Sequence, residues 1–150
     1  MKNNQNIWSI IQSDYSKHPE DYGGRVCVSN LERAERILKL NFSNDYKKFL
    51  MAYGSCIMPG HIIYGLIPLG IMGDNITNVI DKTNFYKDQQ GWIGIEDWYV
   101  ISDDGSGNPI GVDPSGKVWL SDHDSGFEKI LLADSFEEFL YKLHTETLYE

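Results

Sequence analysis

Cysteine is scarce in this chain of 150 residues: only Cys27 and Cys56 occur, with no CxxC spacing and no close histidine pairing. Neither reads as a metal ligand or a redox centre, and each is expected to be a small buried apolar group. Long apolar runs are also missing, and none approaches the length of a membrane span. The opening stretch MKNNQNIWSIIQ lacks the charged-then-apolar pattern and small-residue cleavage site of a secretory leader, so a cytoplasmic protein is expected. There is no G-x-S-x-G elbow and no cysteine with a histidine partner in a recognisable local context. Nothing positive in the sequence points to an enzyme.

Positive charge is short as well, and it is unevenly spread. Thirteen Lys/Arg stand against 22 Asp/Glu, a formal net charge of −9. Residues 1–73 hold eight bases and six acids, whereas residues 74–150 hold five bases and sixteen acids. Between residues 93 and 138, eleven acids face only Lys117 and Lys129. Such a field repels nucleic acid and anionic membrane, and it attracts a basic partner over about a Debye length. Solubility alone is the other reading of the same charge.

What is present is enough for a packed globule. Apolar residues make up 41% and aromatics 13% of the chain, and a single domain over residues 1–150 fits that length. Ile7, Ile10, Ile11 and Tyr15 recur at helical spacing, predicting a helix over 4–17 that Pro19 ends. In "SNLERAERIL", Ser29 and Glu32 have capping-box spacing, with Leu31, Ala34 and Leu38 on the core side. "FSNDYKKFLMAYGS" places Ser43 as a cap, Tyr46, Phe49, Leu50 and Tyr53 on one face, and Gly54 at the C-terminal stop.

The period then changes. "HIIYGLIPLG" reads as strand, turn and strand, and residues 75–90 as a helix with Asp74 as its cap. From Trp92 the runs "WIGI", "WYVIS", "NPIGVD", "KVWLSD" and "FEKILLA" read as short strands, with "DPSGK" as a hairpin turn. "ADSFEEFLYKLH" closes the chain as a helix, with Ser135 and Glu138 in capping-box spacing. Helices first, then a meander, then a closing helix is an α+β arrangement.

Two stretches carry enough polar residues to raise a question of chemistry. "SDDGSGN" (102–108) fails the calcium-loop template, because the third, fifth and twelfth residues from Asp103 are Gly105, Gly107 and Pro114. A strand rather than a helix follows its glycines, so it is no phosphate loop, and it reads as a hairpin turn. "SDHDSG" (121–126) offers Asp122, His123 and Asp124. On a strand, however, consecutive side chains point to opposite faces and cannot converge on one ion. No cofactor and no metal are expected. Glu96–Asp97 and Asp103–Asp104 could meet across the sheet, yet nothing marks one of these carboxylates as buried with a raised pKa.

Four segments then follow in a known order: "FSNDYKKFLMAYGS", "IYGLIPLG", "YVISDDGSGNPIGVDPSGKVWLSDHDSG" and "LADSFEEFLYKL". The residues concerned are Tyr46, Phe49, Leu50, Tyr53 and Gly54; Gly65, Pro68 and Leu69; Gly105 and Gly107; Val118, Asp122 and His123; and Ser135, Phe136, Phe139 and Leu140. Over about residues 29–145 the chain resembles the SMI1/KNR4 family, the core of the SUKH superfamily. The helix ending in "YGSC" departs from the commoner Asn-Gly. The resemblance implies an α+β fold with a mixed, mostly antiparallel sheet and helices packed on it.

It also implies a non-catalytic protein-binding module. Most bacterial members look like cytosolic immunity proteins that neutralise a toxin domain, often a nuclease. Fungal members look like regulators of cell-wall synthesis acting through protein contacts. A nuclease must be basic to hold phosphates, and an acidic neutraliser suits it. The expected contact residues are Glu96, Asp97, Asp103, Asp104, Asp122 and Asp124, with Trp98 or Trp119 as an aromatic anchor. The partner expected is a basic protein, with neither nucleic acid nor membrane. A regulatory scaffold and an uncharacterised small-ligand-binding protein are the other readings.

Overall fold

Three amphipathic segments open the chain, and in the computed structural model each becomes a helix. The structure describes residues 6–67 and 78–149. Helix α1 is Ile7–Lys17, capped by the Asn6 side chain on Trp8 N and ending just before Pro19. Helix α2, Val28–Leu38, starts one residue before the expected cap. The Ser29 hydroxyl meets Cys27 Sγ at 3.2 Å, and no side chain caps the helix, so the Ser29–Glu32 capping box does not form. Cys27 is therefore exposed, contrary to the expectation from sequence, while Cys56 is fully buried. Burial pushes the Cys56 thiol up.

Helix α3, Asn44–Ala52, follows the sequence reading closely: Ser43 caps it, and Tyr46, Phe49 and Leu50 are buried. Gly54 adopts φ +79°, a conformation that costs glycine little, and a side chain there would run into the Gly24 carbonyl. The chain then forms a hairpin that the sequence reading missed, β1 (Cys56–Met58) with β2 (His61–Ile63). The strand, turn and strand expected over 61–70 reduce to β2 alone within residues 61–67, and the remainder lies outside the described residues. Asp74 lies there too. The helix expected over 75–90 is observed as α4, Val79–Asn84, running into a π-helical turn at Phe85–Gln89. Its cap is Asn78, which accepts from Asp81 N.

The second half is the predicted meander. Strands β3 (Tyr99–Asp103), β4 (Pro109–Val112), β5 (Val118–Asp122) and β6 (Glu128–Ala133) lie in that order, each antiparallel to the next. All strand pairs among the described residues are antiparallel. "WIGI" is not a strand, because Gly91 and Gly94 take positive φ and fold the segment into turns. Helix α5, Phe136–His144, closes the chain. Ser135 accepts from Glu138 N, and the Glu138 carboxylate reaches back to Asp134 N rather than Ser135 N.

One face of the sheet carries the large core. Phe49, Leu50, Tyr53, Phe136, Phe139 and Leu140 meet Tyr99, Ile101, Ile110, Val112, Val118 and Leu120 there. Period-2 alternation sends the intervening residues to the other face. There Val100 joins Tyr86, Ile95 and Trp98 in a second, smaller core, with Phe85, Trp92 and Trp119 packed against it. Gly111 leaves room for this layer, since a Cβ on it would lie 2.6 Å from Trp98 Cε3. Strands β3 to β5 are thus covered on both faces: α3 and α5 on one side, the 79–98 segment on the other.

Candidate functional site

In a meander, alternate turns fall at the same end of the sheet, so the turn after β3 and the turn after β5 become neighbours. The first is the hairpin turn expected for "SDDGSGN". Asp104 N donates to Asn108 O at 3.0 Å, and Asp104 Oδ1 accepts from Ser106 N and Asn108 N at 2.9 Å each. Gly107 supplies the positive φ of +81°. In the second, Asp122 Oδ1 accepts from Asp124 N at 2.9 Å and holds a single 3₁₀ turn, His123–Ser125.

Asn108 joins the two turns. Its Nδ2 donates to Asp104 Oδ2 at 3.0 Å, and its Oδ1 accepts from His123 N at 3.0 Å while also meeting His123 Nδ1. Asn108 is only 3% exposed, so the bridge is a fixed part of the fold. His123 Nε2 then lies 3.2 Å from Asp124 Oδ1. No local sequence signal marks Asn108 or His123 for this role, because the bridge spans fifteen residues and depends on strand register.

The expected contact residues divide into three groups. Asp124 is open, its side chain 78% exposed, and Glu96 and Asp97 are also exposed. Glu96 and Asp97 lie before β3 begins, whereas Asp103 and Asp104 lie where it ends, so strand β3 separates them and the six carboxylates do not form one face. The Glu96 carboxyl is held below its usual range by backbone N–H groups of its own loop and by the charges of Lys129 and Lys87. Asp104 and Asp122 are turn-makers with oxygens already engaged.

Asp103 is different again. It is half-buried and accepts from Tyr64 Oη (3.1 Å) and Tyr86 Oη (3.0 Å), with Lys82 Nζ at 3.4 Å. Burial, and then the charge of Asp103, pushes both tyrosine hydroxyls up, so they stay protonated and keep donating. Lys82 sits over the rings of Tyr64 and Phe85, 5.2 Å from each centroid. Asp103 is therefore a fastener between the sheet and the 79–98 layer.

Neither tryptophan is a ready anchor. Trp98 is 2% exposed and sealed in the small core, which corrects its placement among the contact residues. Trp119 is half-buried and donates from Nε1 to Asp113 Oδ2 at 2.9 Å. Burial raises the Asp113 carboxyl, but hydrogen bonds from Ser115, Trp119 and Lys117 outweigh it and leave the group below its usual range.

Contrary to the expectation for a strand, Asp122, His123 and Asp124 do converge. The strand ends at Asp122 and the chain coils, so one ligand atom from each lies within 4.8 Å of the others. Both Asp122 oxygens already accept, from Asp124 N and Ser125 Oγ, and His123 Nδ1 meets Asn108 Oδ1.

Among the described residues, no helix is long and apolar enough to cross a membrane. No curated protein matches the chain. The family model of the SMI1 / KNR4 family (SUKH-1) matches residues 28–142, from the first turn of α2 nearly to the end of α5. That span takes in both acidic turns and the whole four-stranded sheet, and the chain belongs to the SMI1/KNR4 (SUKH-1) family.

Proposed function

We propose that this protein is a non-catalytic binding module of the cytoplasm, an immunity protein that captures and neutralises a basic toxin domain through the acidic end of its sheet. One observation carries the reading: Asn108 locks the turns at 104–108 and 122–127 together. Asp124 is thereby presented from a rigid scaffold, with Glu128 exposed just beyond it. Rigid presentation keeps the entropic cost of association low, and unlike charge speeds the encounter. A nuclease toxin fits best, since a surface that holds phosphates also attracts carboxylates.

The direct test is co-expression with the toxin encoded beside this gene. Cells that make the toxin should survive only when they also make this protein, and the two should co-purify as a complex. Survival without this protein, or no complex between purified partners at low salt, would refute the reading.

A further inference from the structure

The four-stranded sheet has two edges, and among the described residues the chain closes only one. At β3, Tyr64 N donates to Ile101 O at 2.7 Å, Ser102 Oγ to Ile62 O at 2.8 Å, and Thr83 Oγ1 accepts from Val100 N at 2.8 Å. At β6 the strand order stops. Among the described residues, the one hydrogen bond from outside the sheet to the backbone of Glu128–Ala133 is from Lys142 Nζ to the Leu132 carbonyl, at 2.9 Å. A strand edge left with unpaired N–H and C=O groups is a template for another strand.

The side chains of β6 have the same incompleteness. Ile130 stands opposite Leu120 and Leu131 opposite Trp119, so the two point to opposite faces. Both remain open, at 40% and 46% exposure. An exposed aliphatic on each face of one strand is what remains when the next strand is missing. Natural edges are commonly protected by a bulge and by lysine. Here the bulge falls at Leu132, where the register with β5 shifts, and leaves Glu128–Leu131 regular. The single lysine, Lys129, lies near Glu96 and contributes to holding that carboxyl down.

We infer that the β6 edge accepts an extended, basic segment of the protein's partner as a fifth strand of this sheet. The inference rests on the protein-binding reading and gives it a docking geometry. Charge selects the occupant. Asp124 and Glu128 are exposed at one end of β6, Asp134 and Glu137 at the other, and Lys129 is the only base from residue 122 to 138. A second copy, also carrying −9, would bring like charge to like. A strand with lysine or arginine at its flanks and aliphatic residues at its centre matches both the ends and the middle.

The test uses three synthetic ten-residue peptides on the whole protein: a valine centre flanked by lysines (Lys/Val), the same centre flanked by threonines (Thr/Val), and the Lys/Val peptide with every central amide N-methylated. Binding is followed by amide chemical shifts and hydrogen exchange. The basic peptide should slow exchange at residues 128–132. N-methylation of every central amide, which removes the donors along both peptide edges, should weaken it by about tenfold or more. Leu131→Lys, at an exposed position, should weaken it without changing the melting temperature.

Equal binding of the N-methylated peptide would overturn strand addition, since charge alone would then hold the peptide. Equal binding of the Thr/Val peptide would overturn the basic preference, and no binding of the Lys/Val peptide would overturn the inference entirely. A toxin captured normally by Leu131→Lys sinks this inference alone. A peptide that docks on β6 while the neighbouring toxin is ignored sinks the immunity reading alone.

Discussion

The β3 and β6 sides of the sheet both carry acids, yet they use them in opposite ways. On the β3 side, Asp103 faces inward to Tyr64, Tyr86 and Lys82, and the strand is buried over its first four residues. On the β6 side, Asp124 and Glu128 face solvent, and the first four strand residues are exposed. One side spends its carboxylate on fastening two layers; the other leaves its carboxylates for something outside. A net charge counted along the sequence treats the two alike.

The largest effect should come from removing what supports the open side. Helix α5 packs beneath β6, and Phe139 is fully buried in the large core. Phe139→Ala should cost about 3–5 kcal/mol in denaturant melts. A loss below about 1 kcal/mol would show that α5 is not docked under the sheet.

The next test compares the two carboxylates directly. Asp103→Ala leaves two buried hydroxyls and Lys82 without their acceptor and should cost about 1–3 kcal/mol. Asp124→Ala, at an exposed position, should stay within about 0.5 kcal/mol of the parent. Equal costs would erase the distinction between fastener and open charge.

A smaller effect sharpens it through pH. Tyr64 and Tyr86 have folded pKa values raised by burial and by Asp103, against about 10 in the unfolded chain. Their contribution to stability is therefore full below about pH 10, and it falls as pH rises beyond it, where the unfolded chain loses protons first. In Asp103→Asn, the tyrosinate absorbance of these two residues should appear at lower pH than in the parent. An unchanged titration would mean that Asp103 does not bear on them.

Much of this architecture was legible from local pattern. The caps at Ser43 and Ser135, the apolar faces of α3 and α5, and the four strands of the meander are set by residues within a few positions of one another. The short hairpin at 56–63 escaped notice because three-residue strands give little alternation to detect. The site was legible in composition but not in arrangement. Trp98 beside two acids has the look of an exposed anchor, and only the pairing of β3 with β4 reveals that Gly111 makes room for its ring. Asp103 and Asp104 are adjacent in sequence, yet one fastens layers and the other forms a turn. The Asn108–His123 bridge and the open β6 edge arise from strand order, which no single segment encodes.

The central claim, that the open acidic side captures a basic toxin, is tested most directly by the association rate at increasing salt. The comparison is between the parent and Asp124→Lys with Glu128→Lys, against the toxin encoded beside the gene. Both side chains are exposed, so the variant should melt like the parent. Steering by charge predicts slower association for the variant and a visibly flatter dependence on salt, because screening then has less attraction to remove. An association rate and salt slope equal to the parent's would contradict the claim and move the contact surface away from this end of the sheet.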